Sequence, residues 1–291
     1  MLFDPLLAAF LVIAIGFAVH KKIGFDTQSM ANILIYVTGP ALAFSSIYSK
    51  ELIPGDFFYL GLAAIFIMLC SGLFAFIAFR LMNHKGNGML LPAAFMNSGY
   101  LGFPIILFAF GELGLHKAII FDAFATVAMF SIGIFLAQSS SKRKRERLAA
   151  IFKIPLIYAI VLGVALNYYS VHVPSLAVNA LSTVGAATIP LALIALGGRL
   201  AQLKISSLKI PLVSVFSRLA VGAVAGIFFI KFFGLAGVVA SVILLQSVMP
   251  PAINSYILNE KFGAEPENAA TAVVLGTVLS IIPIGVALYF L

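Results

Sequence analysis

Asn97-Ser-Gly-Tyr-Leu-Gly-Phe-Pro104 interrupts an otherwise apolar stretch of the chain. Lipid offers unwound backbone no hydrogen-bonding partner, so such backbone persists at membrane depth only inside protein or beside a watery cavity. Two glycines, an asparagine and a proline within eight residues are therefore costly for a plain anchor helix. A second break, Gln246-Ser-Val-Met-Pro-Pro251, follows 149 residues later, counted from Asn97 to Gln246. Paired broken helices at corresponding positions of two halves point to a site near the bilayer midplane.

Composition sets the solvent in which these breaks must be understood. The 291 residues are 62% hydrophobic and 10% charged, far too apolar for a soluble domain whose surface must meet water. Ten apolar stretches stand out, at 3–19, 30–49, 57–79, 89–110, 118–137, 153–170, 175–198, 210–230, 234–258 and 268–290. Each is near the ~20 residues that cross a ~30 Å hydrocarbon core at 1.5 Å per residue. They lack the alternation of barrel strands and are about twice as long. The expected class is an all-α membrane protein of ten transmembrane helices.

A signal peptide is disfavoured at the start, because Met1 to Pro5 carries no positive charge and Lys21 and Lys22 follow the apolar run. With the N-terminus outside, the loops after odd-numbered spans hold 14 Lys and Arg and the opposite side holds three, Lys50, Lys117 and Lys231. This positive-inside bias predicts both termini outside and a cytoplasmic central loop in the cell (inner) membrane. The net charge of +8 is thus a topology signal, and no nucleic-acid partner is expected. Cys70 is the single cysteine and implies no disulfide framework.

The basic segment 138–152 divides the chain into 1–137 and 153–291, with five spans each. The halves echo one another at an offset of 149 or 150: Pro5 with Pro155, Thr38-Gly-Pro40 with Thr188-Ile-Pro190, Asn97-Ser98 with Gln246-Ser247, Gly114 with Gly263. Five is odd, so the second half enters the membrane in the opposite sense, the arrangement of inverted-repeat carriers. Glycine-rich runs such as Gly222–Gly226 and Gly234–Gly237 are expected to let helix backbones approach closely.

The candidate site follows from the breaks. Pro104 lacks an amide hydrogen, and Gly99 and Gly102 lower the cost of non-helical dihedrals around Tyr100. The downstream half-helix then presents free amides and about half a unit of positive charge, which attract an anion. Asn97 can orient such a group without fixed charge. Pro250 and Pro251, flanked by Gln246 and Asn254, repeat the pattern. Pro40 and Pro190 are expected to bend helices beside the site as hinges. Asp122, inside the fifth span, is the candidate for coupling to H+ or Na+. Arg218 reads as a residue snorkelling to the cytoplasmic membrane face, with an anion-attracting role as the alternative, and the four histidines as interfacial. No cofactor, metal site, or hydrolase or nucleotide-binding motif is present in the sequence.

The motif Asn97-Ser-Gly-Tyr-Leu-Gly-Phe-Pro104 resembles the Asn-x-Gly-aromatic-x-Gly-x-Pro signature of the auxin efflux carrier family. Met249-Pro-Pro, Phe262-Gly-Ala-Glu and Ala272-Val-Val-Leu-Gly-Thr-Val-Leu-Ser280 are similar to that family's last two spans. The resemblance covers essentially the whole chain and implies a fold related to the bile acid:sodium symporters. It implies a scaffold of helices one, two, six and seven, a mobile group, and a crossing of helices four and nine beside the substrate carboxylate. Asn97 and Pro104 match the first crossing, and Pro250 or Pro251 the second. Plant members often carry a long central loop where this chain has about fifteen residues, which argues against plant-hormone transport and points to a prokaryotic carrier of small organic acids. The substrate class the resemblance implies is carboxylates such as malate or auxin-like acids. The expected function is alternating-access transport of a small organic anion. The alternatives are a sodium-coupled organic-anion symporter and a membrane sensor that binds without carrying. Expected partners are the anion, the bilayer and, as an open option, a second copy of the chain.

Overall fold

In the computed structural model residues 4–50, 53–137, 155–205 and 207–291 are described, and every regular element among them is a helix. The basic linker at 138–152 lies outside the described residues. The helices are α1 (Asp4–Ile23), α2 (Thr27–Tyr48), α3 (Pro54–Leu81), α4 (Leu90–Ala94), α5 (Ser98–Gly133), α6 (Pro155–Tyr168) and α7 (Ser175–Gln202). They are followed by α8 (Lys209–Phe232), α9 (Gly237–Ser247), α10 (Ile253–Phe262) and α11 (Pro266–Phe290). Seven are long and apolar enough to cross a membrane, and α6 and α9 are shorter apolar helices. Large apolar side chains such as Leu11, Phe58, Leu73 and Phe228 are exposed. On a soluble protein they would be a liability, whereas in lipid they are an ordinary surface.

The chain doubles back within α5. A straight helix would place Ser98 and Asp122 about 36 Å apart at 1.5 Å per residue, yet Ser98 Oγ donates to Asp122 Oδ1 at 2.5 Å. The reversal is at Gly111, whose φ of 61° and ψ of −158° are open to glycine and strained for other residues. The fourth and fifth apolar stretches of the sequence thus become two arms of one hairpin.

Two prolines are accommodated by one device. A five-residue π-helical turn at Leu34–Thr38 precedes Pro40, and another at Ser98–Gly102 precedes Pro104. Proline has no amide to donate and its ring crowds the carbonyl four residues back, so a wider turn relieves both problems. Asp26 starts α2 by accepting from the Gln28 amide at 2.9 Å, and His20, Lys21 and Lys22 close α1 where cations suit the helix dipole.

Packing sorts the helices into two groups. α1 lies along α7, and the second half of α2 packs on α6 and on the first half of α7. The other group gathers α3, α5, α8, α9, α10 and α11, with α4 held between α3 and α8. At one end of the molecule Lys117 pairs with Asp56 and Asn167 Nδ2 donates to the carbonyls of Tyr48 and Lys50, both at 2.8 Å. His116 and Lys117, expected at an interface, are buried there. Elsewhere Gln202 Nε2 donates to Thr27 Oγ1 at 3.0 Å and His84 meets Glu265 at 3.0 Å.

The α1–α7 contact depends on small residues. A Cβ at Gly197 would collide with the Ile13 carbonyl, and one at Gly16 would lie 2.5 Å from the Ile194 carbonyl. The facing atoms are backbone and cannot rotate away. Gly197→Val is therefore expected to separate the two helices and destabilise the protein by about 1–3 kcal/mol or more. A thermal melt in detergent measures this, and an unchanged midpoint would contradict the contact.

Candidate functional site

Both breaks open extended backbone between two helix ends. α4 ends at Ala94, Phe95 is extended (φ −94°, ψ 126°), and α5 begins after Asn97. α9 ends at Ser247, and α10 begins after Ala252 (φ −64°, ψ 136°). The two links cross as an antiparallel bridge between Met96 and Pro251. The Asn97 amide donates to the Pro250 carbonyl at 2.8 Å and the Ala252 amide to the Phe95 carbonyl at 2.9 Å. Pro250 and Pro251 cannot donate, so they need no acceptor where none exists, while a carbonyl of the pair still serves the crossing.

The register differs from the sequence echo. Asn97 pairs with Pro250, 153 residues on, and Met96 with Pro251, 155 residues on. The sequence offset of 149 or 150 instead sets Gln246 against Asn97, and Gln246 lies in α9, before the break. The first break also lies upstream of Pro104, which sits just inside the helix that follows the π turn.

A cavity of about 120 Å³ lies against the start of both downstream half-helices. Asn97, Ser98, Gly99 and Tyr100 line it from α5's start, and Ala252, Ile253 and Asn254 from α10's. Asp122 and Thr126 close it from the second arm of α5, and Pro40 and Thr188 face them from α2 and α7. Asn97 is 2% exposed, and its side-chain Nδ2 is buried with no partner. The Tyr100 and Thr188 hydroxyls are likewise enclosed and unpartnered. A buried donor without an acceptor costs about 1–3 kcal/mol, so three such groups around one void mark a place where a ligand or water completes the bonding. Asp122 is already engaged, accepting from Ser98 Oγ at 2.5 Å and from Thr126 Oγ1 at 3.4 Å.

Of the residues singled out from sequence, Asn97, Gly99, Tyr100, Asn254, Asp122 and Pro40 line this cavity. Gln246 is fully buried behind it, with Nε2 donating to the Ser98 carbonyl at 3.3 Å. Gly102 makes room for it: a Cβ there would lie 2.7 Å from Gln246 Oε1. Pro250 and Pro251 form the crossing rather than the wall, and Pro104 stands in the first turn of the helix beyond it. Pro190 is exposed and lines a separate cleft of about 580 Å³ with Ser45, Ser46, Ser49 and Lys50. Sequence reasoning missed Thr126 and Thr188; a hydroxyl one helical turn from Asp122 was the available signal for Thr126. Arg218, read as an interfacial residue, is instead completely buried beside the crossing. Gly222, one turn on, leaves the space. Among the described residues no group of three or more His, Cys, Asp or Glu could hold a metal ion.

The family profile described as "Membrane transport protein" matches residues 1–288. The chain belongs to this family. It is the auxin efflux carrier family that the Asn97–Pro104 motif resembles. An uncharacterized transporter of Methanothermobacter thermautotrophicus is 28% identical over 292 residues, spanning 96% of this chain and 95% of the relative. An uncharacterized transporter of Methanocaldococcus jannaschii is 26% identical over 298 residues, 97% and 96% of the two chains. A Rhizobium meliloti protein named "Putative malonate transporter" is 23% identical over 308 residues, 96% and 92% of the two. The chain is thus a multi-pass membrane protein of a transport family.

One residue outside the cavity tests the crossing itself. A Cβ at Gly276 of α11 would collide with the rigid ring of Pro251. Gly276→Val is expected to displace Pro251 and weaken both the fold and ligand binding, although it touches no cavity atom. Ligand-induced stabilisation and the unliganded melting temperature are to be compared with wild type, and no change in either would show that the crossing tolerates the shift.

Proposed function

We propose that this family member is a secondary transporter that carries a small organic anion by alternating access, with the anion held in the cavity beside the helix crossing. The carrying observation is the unpartnered Asn97 amide in a void bordered by two half-helix N-termini. Each terminus offers free amides and about half a unit of positive charge, which suits a carboxylate without any fixed cation. The volume of about 120 Å³ is well below the ~300–1,000 Å³ of drug-sized sites. That favours an acid of a few heavy atoms, of the size of malonate or malate, over an auxin-like or bile-acid-like molecule. In this reading the chain makes ten passes as two inverted five-helix repeats, with both termini outside. The group of α3–α5 and α8–α11 moves against α1, α2, α6 and α7, and Pro40 and Pro190 serve as hinges.

Asp122 gives the proposed coupling. It and Tyr100 are the titratable side chains lining the cavity. An anion about 4 Å from an ionised Asp122 would be repelled by roughly 4 kcal/mol at an effective dielectric of 20, about a thousandfold in affinity. A proton on Asp122 removes that repulsion, so the anion and a proton are expected to bind together.

Two variants test this. Asn97→Ala is expected to abolish malonate counterflow in proteoliposomes while the protein stays monodisperse and melts near the wild-type temperature; wild-type flux would sink the site assignment. Wild-type uptake should rise as pH falls from neutral to mildly acidic. Asp122→Asn should bind the anion with little dependence on pH, and a pH profile like that of wild type would remove Asp122 from the coupling.

A further inference from the structure

Arg218 extends from the π-helical turn Ser217–Val221 of α8 and is fully buried. Its Nη1 donates to the Ala94 carbonyl at 3.0 Å and to Ser71 Oγ at 3.3 Å, and Nη2 donates to the Ser247 carbonyl at 2.9 Å. Ala94 is the last residue of α4 and Ser247 the last of α9. One guanidinium thus bonds the carbonyl ends of both broken helices, on the side of the crossing that the cavity does not use. These acceptors are neutral. The charge is opposed by the orphan carbonyls and partial negative charge that a helix C-terminus carries. Ser217 Oγ donates to the Ser71 carbonyl at 2.5 Å and pins the turn to α3. Gly222, one turn on, leaves the space: a Cβ there would collide with Nη2 and come within 2.8 Å of the Ser247 carbonyl.

In broken-helix carriers the C-terminal ends of half-helices and their unwound carbonyls are where a coupling Na+ is held. We infer that Arg218 is a built-in cation that occupies this place, so that the crossing is held closed without sodium. It acts as a positioning residue: it keeps the ends of α4 and α9 together and thereby fixes the two links whose far sides border the cavity. Arginine suits the role because its planar fork reaches two carbonyls and a hydroxyl at once, which a point-like ammonium does less completely. The bearing on coupling rests on the transport reading above; the holding of the crossing does not, and it is measured without any anion.

The test is hydrogen exchange on the full chain in lipid nanodiscs, in sodium chloride and in choline chloride of equal ionic strength. Wild type is expected to protect peptides covering 95–102 and 246–253 equally in both salts. Arg218→Met keeps the bulk and removes the charge; those peptides should exchange at least about tenfold faster in choline chloride, while α1 and α7 keep wild-type exchange. Arg218→Lys should retain most of the protection. Sodium-dependent protection in wild type, wild-type protection in Arg218→Met, or equal loss in the Met and Lys variants would each overturn the assignment. Should Arg218→Met fail to fold, the wild-type salt comparison and the Lys variant decide alone, an unprotected Lys crossing counting against it. A separate loss of malonate flux in wild type would overturn the transport reading and leave this one standing.

Discussion

Two backbone hydrogen bonds, Asn97 to Pro250 and Ala252 to Phe95, hold together what the rest of the molecule is arranged around. In water such a pair would contribute little, because solvent would satisfy the same groups. In a bilayer the alternative to each bond is an orphaned donor and acceptor in hydrocarbon, which costs several kcal/mol. The surrounding helices keep lipid away from the crossing: α11 presses Gly276 against Pro251, and Gln246 fills the space above Gly102. The prolines are part of this economy, since a residue with no amide removes a donor that would otherwise need burying with a partner.

The crossing also sorts charge. Its N-terminal ends border the cavity with Asn97, Tyr100 and Asn254, and its carbonyl ends meet the Arg218 guanidinium. A buried ion is costly unless it is well bonded; three acceptors serve the two terminal nitrogens of Arg218, and its Nε is left without one. Asp122 is the opposite member of the arrangement, held by the Ser98 hydroxyl at the other helix ends.

Much of this was legible in the sequence, for reasons that differ residue by residue. The apolar stretches announce membrane helices because lipid imposes length and composition together. Asn97, Gly99 and Pro104 stood out because Gly, Asn and Pro are expensive in a lipid-facing helix. The register of the crossing was not legible: the echo between the halves aligns equivalent positions 149 or 150 apart without saying which residues pair, and the antiparallel pairs stand 153 to 157 apart. Pattern matching follows residue identity, whereas pairing follows the lengths of the two unwound links, which are not encoded in any single residue. Arg218 was misplaced for a related reason. A long cation in an apolar span can reach either the interface or an interior acceptor, and only the fold shows that two helix ends lie within its reach.

The reversal at Gly111 brings Ser98 and Asp122 into one bond, on two arms of a single hairpin. Asn97 and Asp122 therefore belong to the same packing group, and any displacement of that group against α1, α2, α6 and α7 carries both by the same amount. A proton on one and an anion on the other would be fellow passengers. Their linkage would need no signal relayed across the interface between the groups, because the distance over which they sense each other never changes during the journey.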